Sequence, residues 1–271
     1  MALTLLPRRM TRMRPGAIRA PLPGIVYGML SILGFVAPLA VWAWIAHEHV
    51  VGAIFLPAPS RVGIAFVHWL HARLVYDAQI SIYRVTAGFA LAATVGVPIG
   101  LCIGVYKWCE ALLQPINDFV RYMPASAFIP LVILWVGIGE GSKIAIIFIG
   151  VVFQIVVMVA DAVRMIPDSY IEAAYTMGAS PGEVVRHVIW RGSWPRIVDI
   201  LRINMGWAWT YLVVAEMVAA DSGLGYAILQ AQRFLATARI FVGIMIIGLI
   251  GLAFDVLFRL VHRHLFPWYR P

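Results

Sequence analysis

Residues 144–160 of the chain read IAIIFIGVVFQIVVMVA, a stretch of seventeen residues without a charged side chain. A helix needs about 20 predominantly apolar residues to cross the hydrocarbon core of a bilayer. The whole sequence has a similar character, because 62% of its residues are hydrophobic and only 13% are charged. A soluble domain has roughly 45–50% apolar and about 25% charged residues. The chain is therefore predicted to be a polytopic membrane protein.

Six stretches of the sequence are candidate membrane spans. They comprise residues 24–46, 85–105, 122–139, 144–160, 203–220 and 240–254, and we expect the last to continue past Asp255. These stretches lack the alternation of apolar and polar residues that is typical of strands in a membrane barrel. Helices satisfy their own backbone hydrogen bonds in lipid. We therefore predict an all-α fold, a polytopic membrane bundle of about six transmembrane helices.

The distribution of Lys and Arg predicts the orientation of this bundle. If both termini are cytoplasmic, fifteen of the 21 Lys and Arg residues fall in inner segments and six in outer ones, as the positive-inside rule requires. Residues 1–23 are then a cytoplasmic basic tail, and residues 24–271 form a single transmembrane domain. The stretch 24–46 is longer than the apolar core of a signal peptide, and no small-residue cleavage pattern follows it. We expect it to be retained as the first span.

Several other classes of function are disfavoured by the sequence. The net charge of +8 could suggest nucleic acid, but the basic residues gather at the predicted helix ends and in a few loops. His68 and His71 lie one helical turn apart without a nearby carboxylate or third histidine, so no metal site is assigned. A membrane-embedded enzyme would need a motif such as Gly-x-Ser-x-Gly or His-Glu-x-x-His, and the sequence has neither. A passive channel is a further alternative.

The predicted inner loop over residues 161–202 contains a helix–turn–helix pattern. Asp168 is predicted to cap a helix over residues 169–177, and Gly178 to end that helix in the left-handed conformation. Ser180 and Glu183 then have the spacing of a capping box, with Pro181 at the first helical position. Such an element is either an ordinary solvated loop or a docking element for a soluble partner, and a passive channel would not need it.

Residues 172–180, EAAYTMGAS, resemble the EAA-x-x-x-G signature of the permeases of ABC importers. In that family this segment is the coupling helix, which docks in a cleft of the ATP-hydrolysing subunit. The resemblance implies these docking residues: Glu172, Ala173, Ala174, Gly178, Ala179 and Ser180. The family pattern continues with Ile-x-Leu-Pro, whereas this chain has Arg191 in place of the proline. The resemblance therefore leaves open how the second helix leaves the turn.

Further motifs extend the resemblance from about residue 50 to the end of the chain. Residues 55–60 (FLPAPS), 129–143 (IPLVILWVGIGEGSK), 214–220 (VAEMVAA) and 223–226 (GLGY) resemble the nitrate, sulfonate, taurine and bicarbonate branch of these permeases. Residues 234–237 (FLAT) and 265–268 (LFPW) are similar to taurine permeases. Taurine or another alkanesulfonate is therefore the favoured solute, ahead of nitrate, bicarbonate and thiamine-precursor pyrimidines.

The resemblance also implies an assembly around this chain. It implies a type I importer permease fold in the bacterial inner membrane, with no catalytic chemistry in the chain itself. The implied partners are a second copy of the permease, two ATPase subunits and a periplasmic substrate-binding protein. No cofactor is expected in this chain, since it has no P-loop, and the partner ATPase would bind ATP and Mg²⁺. The glycine-rich stretch 137–143 has the wrong spacing for a P-loop and is predicted to be an outer turn between the third and fourth spans.

Polar and aromatic residues within the spans are candidates for the translocation path. These are Ser126, Gln154, Asn204, Trp207 and Thr210. The alternative is that such residues form hydrogen bonds between helices of the bundle.

Glu216 lies within the fifth predicted span, where an acidic residue is costly and therefore a functional candidate. Because an anion path does not obviously need a carboxylate, a structural role in supporting a gate is favoured over contact with the solute. That role is either a water-exposed carboxylate at the helix end or a bond to a neighbouring span.

Overall fold

The computed structural model describes residues 22–268, which are almost entirely helical. The helices of this part of the chain are α1 (Gly24–His47), α2 (Pro59–Ala72), α3 (Leu74–Val105), α4 (Lys107–Arg121), a 3-10 turn (Ala125–Phe128), α5 (Ile129–Val136), α6 (Glu140–Arg164), α7 (Asp168–Thr176), α8 (Pro181–Glu183), a π-helical segment (Val184–Trp190), α9 (Arg191–Ala219), α10 (Leu224–Arg233) and α11 (Thr237–Leu265). The all-α prediction is confirmed.

The described part of the chain divides into two compact units, residues 22–51 and residues 52–268. In the first unit, α1 is a 24-residue helix with no buried residue, although its side chains are apolar on every side. A helix that is hydrophobic all round needs an apolar environment on all sides, and lipid supplies it. Most of the predicted basic tail, residues 1–21, lies outside the described residues, so the division into tail and membrane domain stays a prediction.

Five of the described helical segments are long and apolar enough to span a membrane, or six if one bent pair counts as a single span. Besides α1 they are α3, α6, the continuous segment Pro181–Val218 and α11. These segments correspond to five of the six predicted spans. The prediction that the last span continues past Asp255 is also confirmed, because α11 ends at Leu265.

The predicted third span, residues 122–139, is not one straight helix. The structure instead has α4, the 3-10 turn and α5, which bend by 89° at the break between Arg121 and Ala125. Pro124 has no backbone N–H to donate, and a proline disfavours the helical conformation of the residue before it. Pro130 follows at the start of α5. The prolines therefore explain why the apolar stretch is helical only in pieces.

Two other predicted boundaries are wrong for a shared reason. Helix α3 begins at Leu74 rather than at residue 85, and the helix leading into the fifth span begins at Pro181 rather than at residue 203. The excluded residues carry charges, and a search for uncharged stretches stops at each of them. In the folded chain Asp77 and Arg84 are buried by neighbouring helices, so their charge does not end the helix.

The contact between α3 and α6 is close because glycines line α3. A Cβ added to Gly96 would lie 2.9 Å from Ile155, and one added to Gly100 would lie 2.6 Å from the carbonyl oxygen of Val156. A Cβ added to Gly104 would lie 2.6 Å from the side chain of Val163. Small residues at a spacing of four let two membrane helices approach at backbone distance. This packing forms the centre of the second unit.

A substitution on this glycine row should therefore weaken the bundle. We expect Gly100→Leu to push α3 away from α6, with a loss in the free energy of unfolding of about 1–3 kcal/mol or more, as overpacking costs. Thermal unfolding of the purified protein in detergent measures it. Gly248→Ala on α11 is the matched control, because open space surrounds that glycine. An unfolding temperature for Gly100→Leu equal to that of the control would contradict this account of the packing.

Candidate functional site

The segment predicted to dock a partner forms a helix, a left-handed glycine and a second helix. Helix α7 begins at Asp168, one residue earlier than predicted, and Gly178 has φ +85°. The N–H of Gly178 donates to Tyr175 and the N–H of Ala179 donates to Ala174, at 2.9 and 3.0 Å. This is the Schellman arrangement, which satisfies the free carbonyls at a helix end. The predicted left-handed turn is confirmed.

The capping box is also confirmed. A Glu183 carboxylate oxygen accepts from the backbone N–H and from the hydroxyl of Ser180, at 2.8 and 2.7 Å, and Pro181 occupies the first helical position. These bonds fix the start of the second helix directly against the glycine turn. The two helices are therefore joined by a defined turn rather than by a loose loop.

The candidate docking residues face in different directions. Ala174 is 7% exposed and packs with Val163, Val184 and Ile189, and Ala179 borders the same cluster. Ala173 and Glu172 are exposed. The small-residue surface expected from the pair Ala173 and Ala174 is thus only half available, because Ala174 holds α7 onto the bundle. Large apolar side chains of α7 are exposed instead, among them Tyr170 at 63% and Met177 at 82%.

The second helix continues into the fifth span without a break. It passes from α8 through the π-helical segment Val184–Trp190 into α9, and Arg191, in place of the family's proline, has helical φ and ψ of −67° and −36°. A proline follows later, at Pro195 inside α9. The Ser193 hydroxyl donates to the carbonyl of Trp190 at 3.2 Å, which gives that carbonyl a partner within the irregular turn. With Arg191 in place of the proline, the helix that begins at Pro181 is continuous with the fifth span.

The predicted path residues fall into three groups. Gln154 and Trp207 line one cavity of about 180 Å³ at the break in the third span. Ser126, in the 3-10 turn, and Thr210, on α9, are exposed but do not line this cavity. Asn204 is fully buried, and its amide nitrogen donates to the carbonyl of Ile200 within α9 at 2.9 Å and to the sulfur of Met158 on α6 at 3.3 Å. For Asn204 the structure therefore favours the alternative, a hydrogen bond between helices of the bundle.

At the other end of the bundle, where α6 begins, Arg84 is buried with no exposed surface. Its Nε and Nη2 donate to the two carboxylate oxygens of Glu140, at 2.6 and 2.7 Å. Its Nη1 donates to Glu216 at 2.8 Å and to the carbonyl of Ser222 at 2.7 Å, and Nη2 also donates to the Ser222 hydroxyl at 3.2 Å. All five N–H donors of the guanidinium therefore have an acceptor. Lys143 adds a second cation beside Glu140, at 2.9 Å.

The same cluster satisfies the start of α10. The N–H groups of Gly223, Leu224 and Gly225 donate to Asp77, Ser81 and Glu216, at 3.3, 2.9 and 2.8 Å. The first N–H groups of a helix have no partner within it, and acidic groups are favoured at its positive end. Side chains of α3 and α9 thus act as the cap of α10. We call Asp77, Ser81, Arg84, Glu140, Glu216 and Ser222 the Arg84 cluster.

Backbone geometry around Glu216 requires glycine. Gly223 has φ +107°, and a Cβ there would lie 2.3 Å from Oε1 of Glu216. Asp221, the exposed residue of the loop before Gly223, accepts a hydrogen bond from the Ser222 hydroxyl, which lowers the pKa of Asp221. Of the two structural roles considered for Glu216, the water-exposed one is wrong, since the side chain has no exposed surface. The bond to a neighbouring span is confirmed, and the partners are Arg84 and Ser81 on α3.

Sequence reasoning missed most of this cluster. The count of basic residues includes Arg84 only as one of the six outer Lys and Arg residues, and Glu140 falls in the stretch 137–143 that is predicted to be an outer turn. A weak signal was available, because Asp77, Ser81 and Arg84 recur at spacings of four and three residues, which places them on one face of a helix. Their partners are more than 50 residues away in sequence, so no local pattern could have identified them.

Comparison with known proteins identifies the family. Residues 96–270 match the family described as "Binding-protein-dependent transport system inner membrane component". The chain belongs to this family. The taurine transport system permease protein TauC of Escherichia coli is 32% identical, over 89% of this chain and 90% of the relative. The putative aliphatic sulfonates transport permease protein SsuC of Bacillus subtilis is 34% identical, over 95% and 91%.

The fold of this permease also matches a solved structure. The inward-facing MetNI methionine ABC transporter has a chain that superposes with a TM-score of 0.59 at 24% identity, covering 71% of this chain and 96% of that one. This likeness concerns the fold, and the family match and the curated relatives confirm the predicted resemblance to ABC importer permeases. The chain is a membrane permease, the kind of subunit that carries no catalytic chemistry itself, and the relatives are named accordingly.

Removing the guanidinium should destabilise the permease strongly. Arg84→Gln leaves Glu216 buried without a cation, and breaking a buried pair from one side costs on the order of 3–5 kcal/mol. Arg73→Gln, at the residue just before α3, is the matched control, because Arg73 is half exposed and 3.8 Å from Asp77, a pair worth at most about 1 kcal/mol. Thermal unfolding in lipid nanodiscs compares the two. Equal unfolding temperatures would show that the buried pair does not hold the helices together.

Proposed function

We propose that the permease imports taurine or a related aliphatic sulfonate across the bacterial inner membrane, with both termini in the cytoplasm. Two copies of the chain pair, two ATPase subunits dock on α7 and its glycine turn, and a periplasmic binding protein delivers the solute. ATP and Mg²⁺ are bound by the ATPase alone. The names of the relatives support the choice of solute, and nitrate or bicarbonate is the second candidate.

The observation that carries the docking proposal is the position of α7. One side of this helix packs on the bundle through Ala174, while Tyr170 and Met177 are exposed on the helix and its end. Contiguous exposed apolar side chains on a surface often mark an interaction site. Helix α7 therefore has a side fixed on the bundle through Ala174 and exposed apolar side chains that a partner protein can cover.

A displacement of α7 can reach the membrane spans through a short, stiff path. The Schellman turn and the capping box join α7 to α8, and α8 continues into α9. The apolar cluster of Val163, Ala174, Val184 and Ile189 couples α7 to the end of α6 as well. ATP-driven closure of the docked subunits would move α6 and α9 together. Such a rigid-body movement biases two arrangements of the spans.

A β-branched residue at the glycine turn should uncouple this path. Gly178→Val forces a side chain into the left-handed region, at a cost of about 1–2 kcal/mol, and so distorts the turn between α7 and α8. We expect uptake by the reconstituted complex to fall about tenfold, while the unfolding temperature of the permease falls by only a few degrees, as a cost of that size implies. Gly182→Ala is the control, because that glycine has open space and no left-handed backbone. Normal uptake with Gly178→Val would contradict the coupling proposal. Uptake by the permease without any ATPase would indicate a channel.

The choice of solute is tested on the assembled system. We expect the cognate binding protein to bind taurine in calorimetry, at least tenfold more tightly than nitrate or bicarbonate, and the complete importer to accumulate labelled taurine only with ATP. A preference for nitrate or bicarbonate in both assays would replace the sulfonate assignment with the second candidate and leave the importer function intact.

A further inference from the structure

The cavity at the break in the third span is formed by three separate parts of the fold. Arg121 and Met123 come from the end of α4, and Ala125 and Phe128 from the 3-10 turn. Helix α6 contributes Gly150 and Gln154, and α9 contributes Trp207 and Tyr211. The space measures about 180 Å³, and exposed residues such as Trp207 on its lining show that it opens on the bundle surface.

The position of the break is informative. Gln154 lies near the middle of α6 and Trp207 near the middle of α9, so the cavity lies at about the mid-depth of the spans. Non-helical backbone at that depth is tolerated only where it is buried in protein or lines a water-filled space. Interrupted helices near the middle of the membrane are a recurrent feature of solute sites in transporters. Packing of the bundle does not require the break after Arg121, whereas a solute site at this depth would account for it.

The cavity presents polar groups that the fold does not use. Within the described residues, the amide of Gln154, the hydroxyl of Tyr211 and the indole N–H of Trp207 take part in no hydrogen bond, whereas Asn117 on α4 does bond to α6. A polar side chain in a membrane span is costly without a partner. Three such groups around one space are the donors that a polar solute would satisfy.

Tyr211 owes its place to a glycine. A Cβ on Gly150 would lie 2.5 Å from the ring of Tyr211, so the ring contacts the backbone of α6 directly. Any larger residue at position 150 would displace it. Gly150 therefore determines the position of the Tyr211 ring in the wall of the cavity.

The charge of the lining favours an anion. Arg121 is the one formally charged residue among the described residues that line the cavity. Its guanidinium is held by Asp118 at 3.0 Å and by the ring of Tyr122 at 4.6 Å. Asp118 does not line the cavity.

We infer that this cavity is a transit site of the permease for a small organic anion of the sulfonate class. The sulfonate oxygens accept hydrogen bonds from Gln154 and Tyr211, Arg121 supplies the positive potential, and Tyr211, resting on Gly150, limits the size of the solute. The inference rests on the proposed function, because it assumes that the permease carries the solute.

The test uses the complete importer in proteoliposomes, with labelled taurine and saturating loaded binding protein. We expect Gln154→Leu and Tyr211→Phe each to lower the uptake rate about tenfold, since each removes a hydrogen bond to a charged solute. The matched controls are Gln79→Leu and Tyr83→Phe, because both residues are exposed on α3 away from the cavity. The controls should keep wild-type uptake, and all four variants the wild-type unfolding temperature.

A second measurement does not depend on the transport rate. In a chain carrying Cys102→Ser, Cys109→Ser and Met123→Cys, a methanethiosulfonate reagent modifies the cavity wall. During ATP turnover, we expect taurine with loaded binding protein to slow this modification at least fivefold. Absence of protection would overturn the transit site, and so would cavity variants that transport like their controls.

The two proposals fail in distinguishable ways. If the wild type imports taurine while Gln154→Leu and Tyr211→Phe match their controls, the transit site is wrong and the importer function stands. If the wild type imports neither taurine, ethanesulfonate, nitrate nor bicarbonate with its ATPase present, the proposed function is wrong, and the transit site that rests on it falls too.

Discussion

A guanidinium without exposed surface must find a partner for every N–H, and the bundle is built around that requirement at Arg84. Its two carboxylate partners come from the start of α6 and the end of α9, and its carbonyl partner from the loop before α10. In lipid, no water can replace a missing acceptor. The positions of these helix ends relative to α3 are consequently set by hydrogen-bond geometry, whereas apolar packing alone would leave them free to slide.

The two ends of the second unit are held by different kinds of interaction. The Arg84 cluster is directional, because charged and backbone groups must meet at hydrogen-bond distances. The end that carries α7 is held by small apolar contacts around Ala174 and Ile189. Between them, the glycine row of α3 lets α6 approach at backbone distance, so these two helices behave as a single body. A permease that switches between two arrangements needs such rigid parts, since coupling requires that a push at one place moves distant groups together.

The interrupted third span differs from the rest of the bundle. The other spanning helices of the second unit are continuous over 25 residues or more, whereas α4 and α5 meet at 89°. Backbone that leaves the helix inside a membrane needs compensation. The prolines make the break possible, and the cavity lined by Gln154 and Tyr211 lies beside it. In this region the prolines, a local feature of the sequence, and the cavity, a product of the packed helices, occur together.

How much the sequence could predict depended on the range of the interactions involved. The membrane class, five of the six predicted spans and the helix–turn–helix at Gly178 follow from composition, periodicity and caps, which are local features, and the family follows from short motifs. The burial of Arg84 and Asp77 could not be predicted, because a charged residue is expected to be exposed to solvent unless its partners are known. Nor could it show that Ala174 faces inward while Ala173 faces out. The sequence by itself determined which segments enter the membrane and which short segment turns at a left-handed glycine. Only the tertiary structure decided which polar groups meet, because partners such as Arg84 and Glu216 are more than a hundred residues apart and come together only when the helices pack.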